Sequence, residues 1–228
     1  MGKTYVISDI HGCFQTFQEL LSRIGFSQSD HLYLLGDYID RGSNSIALLD
    51  FLIKARTEGY RIDCLRGNHE QLFLNARQPS HTNLWLRNGG SSVFRELGIQ
   101  QIEDVPEKYF QFAQECPPFI ETEDYIFVHA GINLHKPKPL EDTESLLWIR
   151  KWEQHPKLES FLQGKKIIHG HTPQPRADIE IRFSQFVPNY HPVLNIDNGC
   201  VYAEEGYHHL CCVDLTEMRL YFQKNKDH

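Results

Sequence analysis

Thr4-Tyr5-Val6-Ile7-Ser8-Asp9-Ile10-His11-Gly12 opens the chain with an apolar run that stops abruptly at an acid, a histidine and a glycine. A short run rich in β-branched and aromatic residues, closed by polar or glycine positions, reads as a buried strand. The same construction recurs downstream. His31-Leu32-Tyr33-Leu34-Leu35-Gly36 runs into Asp37, and Arg61-Ile62-Asp63-Cys64-Leu65-Arg66-Gly67 runs into Asn68. Tyr125-Ile126-Phe127-Val128 runs into His129, and Lys166-Ile167-Ile168-His169-Gly170 runs into His171. Between the first two runs, Phe14, Phe17, Leu20, Leu21 and Ile24 fall at helical spacing, with Gly25 as a stop. Residues 45–56 read as a second amphipathic helix ending before Gly59. Strand, helix, strand, helix, strand over residues 4–68 is a βαβαβ unit, hence a parallel sheet with crossover helices. Ligands of open α/β sheets bind just past the carboxyl ends of the strands. Strand ends that deliver Asp, Asp, Asn, His and His to one edge therefore predict a metal site.

Residues 70–116 are mainly helical in pattern, with a break at Asn88-Gly89-Gly90, and are expected to form a cap beside the mouth of that site. Residues 173–192, with Pro173, Pro175, Pro188 and Pro192, read as a long surface loop. Residues 193–197, 200–205, 208–215 and 218–223 read as closing antiparallel strands. No repeat or linker interrupts the chain, so a single domain over residues 1–228 is expected.

Bulk properties narrow the function. Hydrophobic residues make up 40% and charged residues 23%, ordinary values for a globular protein. No apolar stretch approaches the ~18 residues needed to span a membrane, and the chain enters a strand without a signal-like segment, so a cytoplasmic location is expected. Six cysteines form no CxxC pair and are expected to be reduced packing residues. The formal charge of −7, with scattered Lys and Arg, argues against a nucleic-acid partner. Nothing in the pattern calls for an oligomer, and a monomer is the default.

The candidate ligands are Asp9, His11, Asp37, Asn68, His129 and His171. That is more than one tetrahedral ion needs, and no thiolate is among them. Mixed N/O ligation suits Mn, Fe, Zn, Co or Ni rather than a structural zinc–cysteine site. With one carboxylate bridging, the set describes a two-metal centre whose ions lie ~3.5–4 Å apart. Two divalent ions less the charges of Asp9 and Asp37 leave a local positive excess, which suits a phosphate substrate despite the acidic chain. Coordination lowers the pKa of water from ~15.7 toward ~7, giving a hydroxide able to attack phosphorus in line.

Asp9-Ile10-His11-Gly12, Gly36-Asp37-Tyr38-Ile39-Asp40-Arg41-Gly42, Gly67-Asn68-His69-Glu70, His129-Ala130-Gly131 and Gly170-His171-Thr172, in this order and spacing, resemble the signature of calcineurin-like metallophosphoesterases. Within them, the chain is similar to the serine/threonine phosphoprotein phosphatases of bacterial and phage type, over roughly residues 4–222. The resemblance implies an α/β fold: a central β-sandwich with flanking helices and the metal site at strand carboxyl ends. It implies two divalent cations, Mn foremost, with a bridging hydroxide as nucleophile. Metal 1 would take Asp9, His11 and Asp37; metal 2 would take Asp37, Asn68, His129 and His171. The catalytic acid would be His69, oriented by Asp40. Arg41 would bind phosphate, Asn68 would border the substrate as well as a metal, and Arg150, after Leu147-Trp148-Ile149, would supply a second arginine.

The implied activity is dephosphorylation of phosphoserine and phosphothreonine in proteins. A sister group with the same ligands hydrolyses symmetrical dinucleoside tetraphosphates. It typically carries Ala in place of Asp40 and Asp in place of Glu70, and both positions here follow the protein phosphatase pattern. Ser43, where many members of both groups carry Pro, departs from the pattern. A non-catalytic binding scaffold is the alternative of another class, and such relatives usually lose ligands or the catalytic histidine. His169, near His171, is read as structural. Aromatic packing is the reading preferred for Tyr38 and Tyr202, over a place at the cleft.

Overall fold

Side chains alternate across the central strands, and the alternation builds two sheets back to back. The computed structural model describes residues 2–188 and 191–227. In the first sheet β1 (Thr4–Ile7), β2 (His31–Leu34) and β3 (Arg61–Cys64) run parallel. They are linked by the crossover helices α1 (Phe14–Ile24) and α2 (Ser45–Thr57). Gly25 ends α1 in the left-handed conformation, as its position after the apolar stripe predicts. Helices α3 (Asn68–Asn75), α4 (Pro79–Trp85), α5 (Ser91–Leu97) and α6 (Glu107–Glu115) follow, with a wide turn at Leu86–Gly90 between α4 and α5. The expected helical segment and its break are thus present.

A second sheet contains β4 (Phe119–Glu121), β5 (Tyr125–Val128), β6 (Lys166–His169) and β7 (Val193–Asn195) in that order. Short helices α7 (Thr143–Trp148) and α8 (Leu158–Leu162) lie between β5 and β6. Helix α9 (Arg176–Phe186) joins β6 to β7, and β8 (His209–Asp214) and β9 (Arg219–Lys224) return to the first sheet, whose order is β3-β2-β1-β8-β9. Val6, Tyr33 and Val213 from one sheet meet Phe127, Ile168 and Leu194 from the other in a shared core. The opposite faces pack against helices. Tyr5, Ile7, Leu32 and Leu34 meet α1, α2 and the segment of α3–α6, while Ile126, Val128, Ile167 and Val193 meet Leu146, Trp152, Leu158 and Leu162. This is an α/β sandwich of two sheets with flanking helices.

Three local expectations need correction. Within residues 173–192, read as a loop, Arg176–Phe186 form a helix; residues 189–190 lie outside the described part. Pro175 stands just before its first residue, and Ile179 and Phe186 bury its inner face. The flanking prolines bound the helix; they do not replace it. Residues 193–197 contain a strand, but β7 pairs parallel with β6 rather than antiparallel. Residues 200–205 form turns and no strand. Only β8 and β9, of the closing segments, form the expected antiparallel pair. All six cysteines are free and buried, and no helix among the described residues is long and apolar enough to cross a membrane.

Candidate metal centre

The loops that follow β1, β2 and β3 are laced together at the sheet edge. Ile10 and His11 both donate backbone N–H bonds to the Asp37 carbonyl, at 3.0 and 2.9 Å, and Gly12 donates to Tyr38 O at 2.7 Å. Gly67 allows the β3 loop to approach: a Cβ there would lie 2.1 Å from Asp37 Oδ1. Positive φ angles are uncommon for residues with a side chain. His11, Asp37, Asp40, Arg41 and His171 all have them, between 47° and 72°. Such strained backbone gathers at functional sites, where surrounding contacts hold it in place.

Asp37 stands at the centre. Its Oδ2 lies 3.5 Å from His11 Nε2, 3.5 Å from His129 Nε2 and 4.0 Å from His69 Nε2. Two groups of potential ligands share it, His11–Asp37–His69 and Asp37–His129–His171, each with ligand atoms within 4.8 Å of one another. Asn68 Oδ1 completes the second group, 2.9 Å from both His129 Nε2 and His171 Nδ1. Asp9 stands slightly apart. Its carboxylate accepts from the Ser8 hydroxyl and, at 3.2 Å, from the His171 backbone N–H. His69, expected as an acid rather than a ligand, thus joins one of the two groups of potential ligands, and Asp9 joins neither.

The donor set fits divalent cations. His11 donates its Nδ1–H to Ile39 O at 3.0 Å, and His129 donates its Nδ1–H to Leu35 O at 2.9 Å. Each ring therefore turns an Nε2 lone pair inward, the arrangement that outer hydrogen bonds impose on metal-binding histidines. Those lone pairs face the carboxylate of Asp37 and the amide oxygen of Asn68, so acceptors converge on acceptors. A divalent cation between them would resolve that repulsion. Burial holds His11 well below its ordinary pKa, helped by the Arg41 charge. Burial and the neighbouring His129 and Arg150 bring His171 down to about 2. Burial pushes Asp37 up to about 7, opposed by His69. Neutral imidazoles around a costly buried carboxylate are what a divalent ion stabilises.

At the rim, Arg41 donates from Nη1 to His11 Nε2 at 2.7 Å and from Nη2 to His69 Nε2 at 2.9 Å. His69 Nδ1–H donates to Asp40 Oδ2 at 2.7 Å. Burial raises Asp40 well above the usual carboxylate range, and the Trp85 indole bond opposes it. Arg150 is exposed and reaches Thr172 Oγ1 at 3.3 Å, while the Trp148 ring lies 6.1 Å from that of His171. Tyr38 packs inside, donating its hydroxyl to Leu65 O at 2.7 Å, and Tyr202 is 37% exposed. His169 is buried 3.4 Å from Glu153 and stacks edge-on against Trp152.

Residues that sequence reasoning left out also meet here. Glu70, used only to separate two related activities, accepts backbone N–H bonds from Asp37 (2.8 Å), Tyr38 (2.8 Å) and Gly67 (2.9 Å). Asp197 follows β7 and is buried near Asp9, whose charge adds to burial in raising its pKa. Its signal was available, since Val193-Leu194-Asn195-Ile196 is one more apolar run ending in an acid.

The chain belongs to the calcineurin-like phosphoesterase family, whose sequence model matches residues 2–199. It is 32% identical to serine/threonine-protein phosphatase 1 of Salmonella typhimurium, over 64% of this chain and 68% of that protein. It is 41% identical to a symmetrical bis(5'-nucleosyl)-tetraphosphatase of Glaesserella parasuis, over 78% of this chain and 61% of that protein. Among solved structures, a protein provisionally described as a diadenosine tetraphosphatase superposes with a TM-score of 0.69 at 18% identity, covering 100% of this chain and 95% of the other. A protein serine/threonine phosphatase from Saccharomyces cerevisiae gives 0.65 at 17% identity, covering 100% and 81%. These two likenesses concern the fold.

Proposed function

We propose that this protein is a metal-dependent phosphomonoesterase that removes phosphate from phosphoserine and phosphothreonine in proteins. The observation that carries the reading is the buried pair Asp40–His69, bonded at 2.7 Å beside the ligand cluster. Loss of an alkoxide from a phosphate ester needs a proton donor at the leaving oxygen, whereas a nucleotide leaving group does not. Once Arg41 Nη2, which donates to His69 Nε2 at 2.9 Å, turns to the phosphoryl group, His69 in its cationic form would pass its Nε2 proton to the departing oxygen, and Asp40 would offset the charge through Nδ1. Arg41 and Arg150 bind the phosphoryl oxygens, as planar guanidinium groups do. Asp9, His11 and Asp37 would hold one cation and Asp37, Asn68, His129 and His171 the other, with manganese the expected metal. Cations held there would acidify water and neutralise phosphoryl charge.

A second reading, hydrolysis of symmetrical dinucleoside tetraphosphates, is favoured by the 41% identity to the Glaesserella protein. Initial rates of the Mn-loaded protein on a phosphothreonine peptide and on diadenosine tetraphosphate separate the two. Metal-dependent kcat/KM well above that for the dinucleotide supports the phosphoprotein reading. The reverse preference replaces it with the second.

A further inference from the structure

We propose that Trp85 is a positioning residue of the hydrolytic reaction, its indole N–H fixing the carboxylate of Asp40 that orients His69. The reading rests on His69 as the proton donor and adds a residue from the helical segment to the site.

The indole Nε1–H is shared between Asp40 Oδ1 at 3.0 Å and Oδ2 at 3.1 Å, and Oδ2 also accepts from His69 Nδ1 at 2.7 Å. All three side chains are buried. A buried indole needs an acceptor, and any carbonyl would satisfy it. A bond forked to both oxygens does more, because it sets the plane of the carboxylate and hence the direction of the His69 ring.

The indole itself is held on several sides. Phe73 and Phe94 pack against it with ring centroids 5.3 and 5.4 Å away. Gly90 lies under its face, where a Cβ would come within 2.3 Å of the ring. The same turn reaches the loop directly: Gly89, at φ 118°, accepts the Arg41 N–H at 3.4 Å, and a Cβ on it would stand 2.9 Å from that nitrogen. Glu96 of α5 accepts from the backbone of Ser45 and Ile46, and Ser45 Oγ accepts from Asp40 N at 3.2 Å. Asp40 and Arg41 both sit at positive φ, 72° and 68°. The cap segment thus grips a strained pair at the backbone and at one carboxylate, with Trp85 holding the carboxylate.

The test is leaving-group dependence. An ester with an acidic phenol, p-nitrophenyl phosphate, needs little protonation as it departs, whereas phenyl phosphate and a phosphothreonine peptide need much. Three altered chains are compared with the unaltered Mn-loaded enzyme: Trp85→Phe, benzothienylalanine at position 85 by codon suppression, and His69→Asn. The benzothiophene keeps the bicyclic shape and lacks the N–H, and it carries the test if Trp85→Phe fails to fold. The expected result is a fall in kcat of about 10–100-fold on phenyl phosphate and the peptide, under about threefold on p-nitrophenyl phosphate, with KM little changed. Equal losses on all esters, or none, overturn the proposal. If His69→Asn is selective for poor leaving groups and the Trp85 chains are not, Trp85 alone is wrong. If His69→Asn is itself unselective, the acid role falls and takes this proposal with it.

Discussion

His69 donates Nδ1–H to Asp40 Oδ2 at 2.7 Å, and both side chains are closed off from solvent. Burial lowers the His69 pKa, while the charge of Asp37 raises it. Asp40 is the carboxylate in hydrogen-bond contact with the ring. Asp40→Asn keeps the shape and removes that charge. The expected outcome is a kcat about 100-fold lower on a phosphothreonine peptide, with metal content unchanged, because general acid catalysis contributes roughly that much or more. Steady-state rates beside elemental analysis of the purified protein check it. An unchanged kcat would sink the dyad.

Metal affinity is expected to rise with pH, and the carboxylates set the window. Burial pushes Asp37 and Glu70 up to about 7, with the charge of Asp9 adding at Asp37 and that of Asp37 adding at Glu70, so the folded chain keeps protons there that an unfolded chain has released by about pH 5. Folding stability without divalent ions therefore loses their contribution as pH rises from about 4 through 7. His11 and His171 work in the opposite sense: their depressed pKa values leave the unfolded chain as the better proton acceptor below about 6.5, so stability drops on acidification. Because these rings stay neutral, the proton that a cation must displace comes from the carboxylates. Mn affinity is expected to be about tenfold weaker at pH 6 than at pH 8, with a proton released on binding at the lower value. Calorimetry in two buffers of different ionisation enthalpy measures both quantities. Equal affinity at the two pH values would remove Asp37 as the controlling ligand.

The meeting of the candidate ligands could be read from residues alone because they sit directly behind apolar strands. A strand buried on both faces of a sandwich has little choice but to be apolar, so Val6-Ile7 and Phe127-Val128 mark their own ends, and with them Asp9 and His129. What escaped depends on tertiary meetings. Trp85 and Asp40 are 45 positions apart and touch because the turn at Gly89-Gly90 folds back over the loop. Helix α9 was hidden by the prolines that bound it, its inner face needing little more than Ile179 and Phe186. The direction of β7 follows from its pairing with β6, not from Val193-Leu194-Asn195, whose composition would serve either orientation.

Glu70 carries the last prediction. Its Oε2 accepts from Asp37 N and Gly67 N, and its Oε1 accepts from Tyr38 N. Three loop amides thus converge on one buried carboxylate, which fixes the backbone of Asp37 at its positive φ of 54°. Glu70→Gln turns an NH2 toward at least one of those N–H groups. Donor would then face donor in a dry site, costing roughly 1–3 kcal/mol of stability. Glu70→Asp shortens the reach by one methylene and leaves amides unpaired instead. Both are expected to lower the denaturant midpoint without changing the m-value, and to weaken Mn binding by about 10–100-fold, the usual penalty for losing an outer-shell partner. Denaturation of the metal-free protein and titration with Mn separate the two effects. If Glu70→Gln loses metal affinity with no loss of stability while Glu70→Asp keeps both, Glu70 acts on the cation through charge alone, and the clasp of three amides is not what holds Asp37.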